Sequence, residues 1–487
     1  MIIKSDSNNQ GMILVNVLVF GVIAIIVTTS LVNWAATMLK NTRQLTAREQ
    51  AFQIAEAGID YYRWHLAHAT SDFKDGTGTT TSNGPFIHTF EDKDGVIIGS
   101  FELTITPPIT GSTLTKVVSK GTVLSDANVS RSIQVTFAIP SFARFAMVAN
   151  APSRFGVGTE VFGPIHSNSG IRFDGLAHNT VTSAVEKYID TDVGVNRQKW
   201  GVYTNVGTDD PNPPTPVPSR PDVFMAGRQF PVAQVDFAGI TASLSAMKTI
   251  AVDAGSAGRY YTSSGLQGYH IVLKENDTYD IYMVNTLVSA SKTCTYDGQT
   301  NWGTWSISTE TLFKSGVTFP ENGIIFFEDN VWVDGKINGA RLSIVAATFP
   351  EDLNTWKNII VNKDLLYTNY DGTDSISLIA QGNITTGLNS NNILRIDAAL
   401  VAQKGRIGRY AYFSQCGTNY KRSTITLYGM IASSERYGFS YVDGNDVYSN
   451  GYLLRNIIYD GNLLYAPPPS FPLTSNQYST LSWEELK

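Results

Sequence analysis

The longest run of hydrophobic positions lies within the first forty residues. No charged residue occurs between Asp6 and Lys40, and an α-helix over residues 12–39 would be roughly 40 Å long at about 1.5 Å per residue. This length exceeds the ~30 Å hydrocarbon core of a bilayer. A cleaved secretory signal has a shorter apolar run, of about 7 to 15 residues, followed by a small-residue cleavage site. The pattern therefore predicts a retained helix that spans a membrane.

This helix is expected to continue past the membrane surface, so that it covers residues 12–68. Pro85 is the first proline of the chain, and Gly58 is the only glycine between Val22 and Asp75. The apolar residues of the second half are Leu45, Phe52, Ala55, Ile59, Tyr62 and Leu66. Because their spacings are seven, three and four, they fall on one face of the helix. We expect that face to pack against another layer of the same chain.

Residues 69–140 show the alternation that is typical of strands. Apolar groups fall mostly on one side in residues 96–106, 114–125 and 130–139, as in half-buried strands. The segments between them are rich in Asp, Gly, Pro and Asn, which favour turns. The pattern predicts an antiparallel sheet against the helix, and so an α+β first part.

A short phrase recurs in the larger remainder, residues 141–487. It consists of a small residue, two large aliphatics and an alanine, and it occurs at 343–346 (SIVA), 377–380 (SLIA), 399–402 (ALVA) and 429–432 (GMIA). A loose period in this range is typical of stacked coils, in which aliphatics fill the interior and asparagines form ladders at the corners. We expect a mainly-β domain, a right-handed parallel β-helix; a broad β-sandwich is the alternative.

Two segments interrupt this pattern. Residues 205–223 contain six prolines, which predicts an exposed, partly polyproline loop. Residues from about 235 to 315 begin with a helical pattern and continue with a hairpin pattern, so we expect an insertion on the flank of the coil.

Composition narrows the class of protein. Only 16% of the 487 residues are charged and the formal net charge is -6, and no cluster of Lys and Arg with interleaved aromatics is present, so nucleic-acid binding is not expected. Cys294 and Cys416 are the only cysteines and lack zinc or redox spacing. A single disulfide and two separate buried thiols both fit the sequence.

The N-terminus resembles the PilX-type prepilins of type IV pilus and type II secretion systems. The resemblance is carried by a short polar leader, residues 1–11, that ends in Gly11, by a hydrophobic helix that opens at Met12, and by TAREQAFQIAEAG at 46–58. It implies that prepilin peptidase cuts after Gly11 and that the amine of Met12 is methylated. It also implies partner pilin or pseudopilin subunits and inner-membrane assembly machinery. Segments 161–175 and 459–472 resemble uncharacterised domains that follow such N-termini.

One position departs from the pattern of the major pilins. They carry a glutamate five residues past the cleavage glycine, where this chain has Asn16. An amide can accept a hydrogen bond but cannot neutralise an ammonium group. The difference favours a minor, initiating or tip subunit over a bulk fibre subunit, and a plain signal anchor without an assembly role is the alternative.

The direction of insertion is ambiguous from charge alone. Lys4 precedes the apolar run, whereas Lys40, Arg43 and Arg48 follow it, so the positive-inside rule would place the body in the cytoplasm. The resemblance implies the opposite, a single-pass membrane protein with its body outside, and we follow it.

No catalytic residue, cofactor or metal site is predicted. The acidic residues that could serve a glycan-cleaving site are Asp209, Asp210, Asp371, Asp374, Asp443 and Asp446, and nearly all stand beside Gly, Asn or Pro, as turn residues do. His166 lacks metal-ligand spacing and is interpreted as a structural histidine. Tyrosines are concentrated at 409–413, 435–443 and 450–465, where they would serve protein or sugar contacts or cap a coil end.

The predicted function is therefore that of a surface-displayed, pilin-like protein. It would be a minor or tip component of a type IV pilus or pseudopilus that acts in adhesion, on a surface glycan or protein receptor, or in assembly priming. The alternative is a membrane-anchored β-helix enzyme that acts on surface polysaccharides.

Overall fold

The computed structural model describes residues 9–78, 84–195, 197–237, 244–253, 258–291, 293–294 and 298–486. The chain folds into two compact units. The first unit comprises residues up to Pro107, Thr115–Phe137 and the segment from Gln477, and the second unit comprises Pro108–Leu114 and Ala138–Asn476. A long N-terminal helix is thus followed by a mostly-β body, as the sequence predicts.

The first unit consists of one helix and one five-stranded sheet. The helix α1 is Asn9–His68, and the strands are β1 Phe86–Glu91, β2 Ile97–Thr106, β3 Thr115–Val123, β4 Asp126–Ala138 and the last strand of the chain, β32 Ser479–Leu486. The strand order is β1-β2-β3-β4-β32, and β1 to β4 pair antiparallel.

The second half of α1 packs on this sheet. Its buried side chains are Ala47, Ala51, Ile54, Ala55, Ile59, Tyr62 and Leu66. Leu45, predicted on this face, is instead 62% exposed, because the contact runs through small residues that bring helix and sheet close together. Gly121 on β3 marks the closest approach, since a Cβ there would overlap the backbone of Ala51 and Ala55.

The strand β32 departs from the predicted division of the chain. The sequence assigns residues 141–487 to one β-rich domain, yet 479–486 lie beside β4 in the sheet of the first unit. Trp483 meets Phe52 of α1 edge to face, with ring centroids 6.0 Å apart, and Arg131 of β4 pairs with Glu485. The partner strand is some 350 residues away, so no local pattern indicates this pairing.

The second unit is built from many short strands and one described helix. The helix α2 is Leu244–Asp253. The strands are β5 Met147–Ala149, β6 Ser153–Phe155, β7 Thr159–Phe162, β8 Ile165–Ser167, β9 Ile171–Phe173, β10 Leu176–Ala177, β11 Val181–Ser183, β12 Lys187–Ile189, β13 Gln198–Trp200, β14 Val202–Tyr203, β15 Arg228–Gln229, β16 Arg259–Tyr261, β17 Gly268–Lys274, β18 Thr278–Leu287, β19 Ile307–Thr318, β20 Ile324–Phe327, β21 Val331–Ile337, β22 Arg341–Ala346, β23 Ile359–Ile360, β24 Leu365–Tyr367, β25 Ser375–Ala380, β26 Ile384–Thr386, β27 Ile393–Ala402, β28 Ile407–Arg409, β29 Lys421–Ser433, β30 Ser440–Val442 and β31 Tyr448–Tyr459. Short 3-10 turns occupy Leu353–Thr355, Ser414–Cys416, Thr418–Tyr420 and Gly461–Leu464.

Most of these strands pair in parallel. One run of pairs, here called the main ladder, follows the order β16-β20-β22-β25-β27-β29-β5-β8-β11-β15. The recurring phrase lies in it, because Ser343 pairs with Ser377 and Ala380 with Ala402. The last repeat is shifted by one residue from the predicted alignment, since Ala399 pairs with Met430 and not with Gly429. Closure of the ladders into a right-handed β-helix stays a prediction.

The order of strands along the main ladder differs from their order along the chain. The chain joins the ladder at β5, directly beside β29, and moves outward through β8 and β11 to β15. It then continues from the opposite end at β16 and progresses back to β29. The first strands of the unit therefore pair with its last strands.

The predicted insertion at about 235–315 is only partly separate from the ladders. β16 pairs with β20 and β17 with β21, both in parallel, so these strands belong to the parallel ladders. β18 pairs antiparallel with β17, and β19 pairs antiparallel with β18, so these two strands form a hairpin that extends from β17. Both faces of the main ladder are buried, because α2 and neighbouring segments cover its outer face, which explains the unbroken apolar strands.

Candidate functional site: an exposed apolar helix and a groove

The first half of α1 has no cover within the described chain. Its large apolar side chains between Met12 and Leu39 are 47–70% exposed, and the helix is long and apolar enough to cross a membrane. The hydroxyl groups of Thr28, Thr29 and Thr37 donate to carbonyl oxygens one turn earlier in α1, at 2.6–2.9 Å. These polar groups are therefore satisfied without water, as an apolar surrounding requires.

The residues predicted for processing lie at the start of this helix. Gly11, Met12 and Asn16 are all exposed, and a Cβ at Gly11 would meet nothing within 4 Å. The structure begins α1 at Asn9, three residues before the predicted start, so Gly11 has helical backbone. Residues 1–8 of the predicted leader lie outside the described residues.

The second unit carries a groove of about 1470 Å³. Asn358 and Asn383 line it and belong to a row of stacked asparagines. Asn358 Oδ1 accepts from the backbone N–H of Asn383 at 2.8 Å, and Asn330 Oδ1 accepts from that of Asn358 at 3.0 Å. The row ends where Asn383 Oδ1 accepts from Arg406 N at 2.9 Å. Each amide satisfies a backbone donor of the next coil at the point where the chain turns.

Aromatic side chains line the same groove. Trp356, Tyr441 and Tyr448 are half-buried and face it. The guanidinium of Arg406 lies 5.0 Å from the ring centroid of Tyr410 and donates to the hydroxyl of Tyr441 at 3.0 Å. The predicted concentration of tyrosines thus lies partly along a concave surface.

Two acidic groups of the groove, Asp192 and Asp446, are held by arginines. Asp446 accepts from Arg154 at 2.6 Å and from Arg172 at 2.7 Å, and these bonds lower its pKa although burial acts in the other direction. Arg436 donates to Asp192 at 2.9 Å, and this bond lowers the pKa of Asp192. These ion pairs join the first strands of the second unit to segments near its end.

The other acids singled out in the sequence have structural partners. Asp443 accepts from the backbone of its own turn, and Asp371 does the same through Thr373. Asp374 is buried and accepts from three backbone N–H groups, and Asp210 accepts from Thr204 N and pairs with Arg228. Asp209 is exposed. Asp210, Asp371, Asp374 and Asp443 thus each serve a structural contact.

His166 and the cysteines have defined environments. His166 is buried, its ring nitrogens lie 3.0 Å from Thr182 Oγ1 and from Asn168 Oδ1, and burial lowers its pKa. Cys294 and Cys416 form a disulfide with their Cα atoms 4.9 Å apart. It lies beside a cluster that contains Tyr412 and Trp302.

The sequence analysis missed a buried histidine between two carboxylates. His270 donates from Nδ1 to Glu310 at 2.7 Å and from Nε2 to Asp334 at 2.9 Å. Burial acts to lower the pKa of His270, but the two hydrogen-bonded carboxylates outweigh it and raise the pKa to about 9. No spacing indicates this triad, because its members come from three strands. Among the described residues, no group of three His, Cys, Asp or Glu is arranged to hold a metal ion.

The comparisons with known proteins establish neither a family nor a fold for this chain. No protein family profile and no curated protein matches the chain. Among solved structures it is similar to the competence-associated pilin ComZ from Thermus thermophilus, at 16% identity over 90% of this chain and 98% of that one, with a TM-score of 0.30. A TM-score this low establishes no common fold.

Proposed function

We propose that this protein is a membrane-anchored, pilin-like subunit that is processed after Gly11. The observation that carries the proposal is the division of α1. Its second half is buried on its own sheet, whereas the large apolar side chains from Met12 to Leu39 are exposed. Such a surface is stable in lipid or against other apolar helices. A helix with these two halves can anchor first and pack against sister subunits later.

Asn16 supports a minor or tip position for this subunit. It lies on the exposed part of α1. There the terminal ammonium of a neighbouring subunit would meet an amide and not a carboxylate. Since an amide cannot neutralise a terminal ammonium, every further copy added would leave one charge unpaired in the membrane. One or a few copies per fibre avoid that cost.

The body is proposed to lie outside the cytoplasm, as a parallel β-helix that serves adhesion or the priming of assembly. The disulfide between Cys294 and Cys416 fits an oxidising compartment. The enzyme alternative gains no support from the groove, because Asp192 and Asp446 are bound by arginines and Asp443 by its own turn.

Mass spectrometry of the mature N-terminus tests the proposal. We expect the chain to begin with a methylated Met12, and Gly11→Val to retain Met1, because a branched side chain blocks the close approach that a peptidase needs. Gly21→Val is the matched control: both glycines lie in the exposed half of α1 with nothing within 4 Å of an added Cβ. An intact Met1 in the unaltered protein would leave only a signal anchor.

A second experiment separates assembly from anchoring. Asn16→Glu should increase the share of this subunit in sheared filaments, because the carboxylate can pair with a terminal ammonium. Asn33→Glu introduces the same charge near the other end of the apolar run, where no terminal ammonium is available, and should reduce that share, since an unpaired carboxylate in the membrane is costly. Equal recovery of both variants would argue against assembly.

A further inference from the structure

We infer that the groove of the second unit binds a neutral, linear glycan. The groove crosses successive parallel strands near Asn358, Asn383, Arg406 and Gly438. Neighbouring strands are about 4.8 Å apart, so three steps give a length of about 14 Å. A surface of this length, with a repeat set by the backbone, matches an extended chain of similar units better than a compact molecule.

The side chains of the groove suit the two kinds of surface that a sugar ring presents. A sugar has apolar C–H faces and an edge of hydroxyl groups that both donate and accept. Half-buried Trp356, Tyr441 and Tyr448 offer ring faces with polar tips. Arg406 uses one terminal nitrogen for Tyr441 and the carbonyl of Arg409, and its other nitrogens donate to no group in the described ranges.

The charges of the groove favour an uncharged ligand. Arg154 and Arg436 are paired with Asp446 and Asp192, and the buried Arg455 donates to backbone carbonyls. The other charged groups that line the groove are Arg406, Glu435 and Asp443, so its remaining charges are mixed. An acidic polymer would meet the two carboxylates. A basic peptide would meet Arg406, so a protein ligand is less well matched.

This inference rests on the proposed display of the body outside the cytoplasm, where glycans are available. The full chain would be studied in lauryldimethylamine oxide, a detergent without a sugar headgroup that could compete. The probes are short neutral linear oligosaccharides of glucose, mannose, galactose and N-acetylglucosamine, with uronic-acid and sulfated analogues for comparison. Isothermal titration would measure binding, and the mass of the mature N-terminus, from the same sample, reports processing independently.

We expect at least one neutral probe to bind and the acidic analogues to bind more weakly. Trp356→Ala should weaken binding by about tenfold through the loss of one stacked ring, and Trp356→Phe should restore part of it. Arg406→Gln should also weaken binding. Trp64→Ala removes a tryptophan of α1 that is 60% exposed, and it should leave glycan binding unchanged. Thermal unfolding of each variant confirms that the fold is kept.

Three results would overturn the inference. The first is that no neutral probe binds. The second is that binding is unaffected by both Trp356→Ala and Arg406→Gln in variants that fold normally. The third is a preference for the acidic glycans. Each of these would leave the proposed processing at Gly11 intact, because that is read from the N-terminal mass.

Discussion

The end of strand β22, residues 344–346, and the first half of α1 are both apolar segments, but they have opposite surroundings. In Arg341–Ala346 every residue is buried, since the core covers one face and α2 with its neighbours covers the other. Between Met12 and Leu39 the large apolar side chains are exposed. An apolar run thus predicts that all its sides need cover, but not whether the same chain supplies it.

The largest expected effect comes from placing a charge in each segment. Val345→Asp should prevent folding of the second unit, because an unpaired buried carboxylate costs about 4 kcal/mol or more. Ile25→Asp is the counterpart in α1 and should leave unfolding of the second unit unchanged while it weakens retention in the membrane. Circular dichroism and membrane fractionation measure the two effects. A folded Val345→Asp variant with unchanged melting would contradict the assigned burial.

His270 shows that the body buries charge where partners are provided. Since its folded pKa is about 9 and its unfolded pKa about 6.5, the stabilisation is complete below pH 6.5 and is lost as pH rises through 9. His270→Gln should therefore cost on the order of 3 kcal/mol near pH 6 and much less near pH 10. Denaturant unfolding at both pH values measures this. His68→Gln, on the exposed end of α1, is the control, and a pH-independent difference would refute the assignment.

Substitutions at two glycines compare the packed and the uncovered parts of the first unit. Gly121→Ala should destabilise that unit by about 1 to 3 kcal/mol, since the new Cβ overlaps the backbone of α1. Gly21→Ala meets nothing within 4 Å and should not destabilise it. Hydrogen exchange of the sheet amides reports the difference. Equal protection in both variants would mean that α1 does not approach β3 as described.

The smallest effect is expected in the asparagine row. Asn358→Ala removes the acceptor for the backbone N–H of Asn383, and a buried donor without a partner costs about 1 to 3 kcal/mol. Because the site borders the open groove, water can replace the amide and the lower value is expected. Asn354→Ala, at an exposed position of the same groove, is the control. Thermal unfolding of the second unit provides the measurement.

Local patterns predicted a good part of this fold. Alternation in 96–139 indicated the strands on which α1 packs, and the shared phrase at 343 and 377 indicated strands that pair in register. These predictions succeeded because burial repeats with the geometry of each element. The position of Asn16 on an exposed apolar helix also follows from composition alone.

Other features depend on contacts between distant residues and leave no periodic signal. β32 joins β4 across most of the chain, and β5 lies beside β29 although β29 begins 274 residues after Met147, at Lys421. The His270 triad and the groove are likewise assembled from separate strands. Leu45 was misplaced because the small side chains Ala47 and Ala51, which allow the close approach, carry a weak hydrophobic signal.

The position of β32 has a consequence for the order in which the chain is assembled. β32 can pair with β4 only by closing a loop that contains almost the whole second unit, and the entropic cost of closure grows with the length of a flexible loop. The folded second unit holds its own ends together, since Thr474 N donates to Pro140 O at 2.9 Å. Completion of the five-stranded sheet is therefore favoured only after the second unit has folded. As long as the second unit is unfolded, the edge of that sheet at β4 stays unpaired.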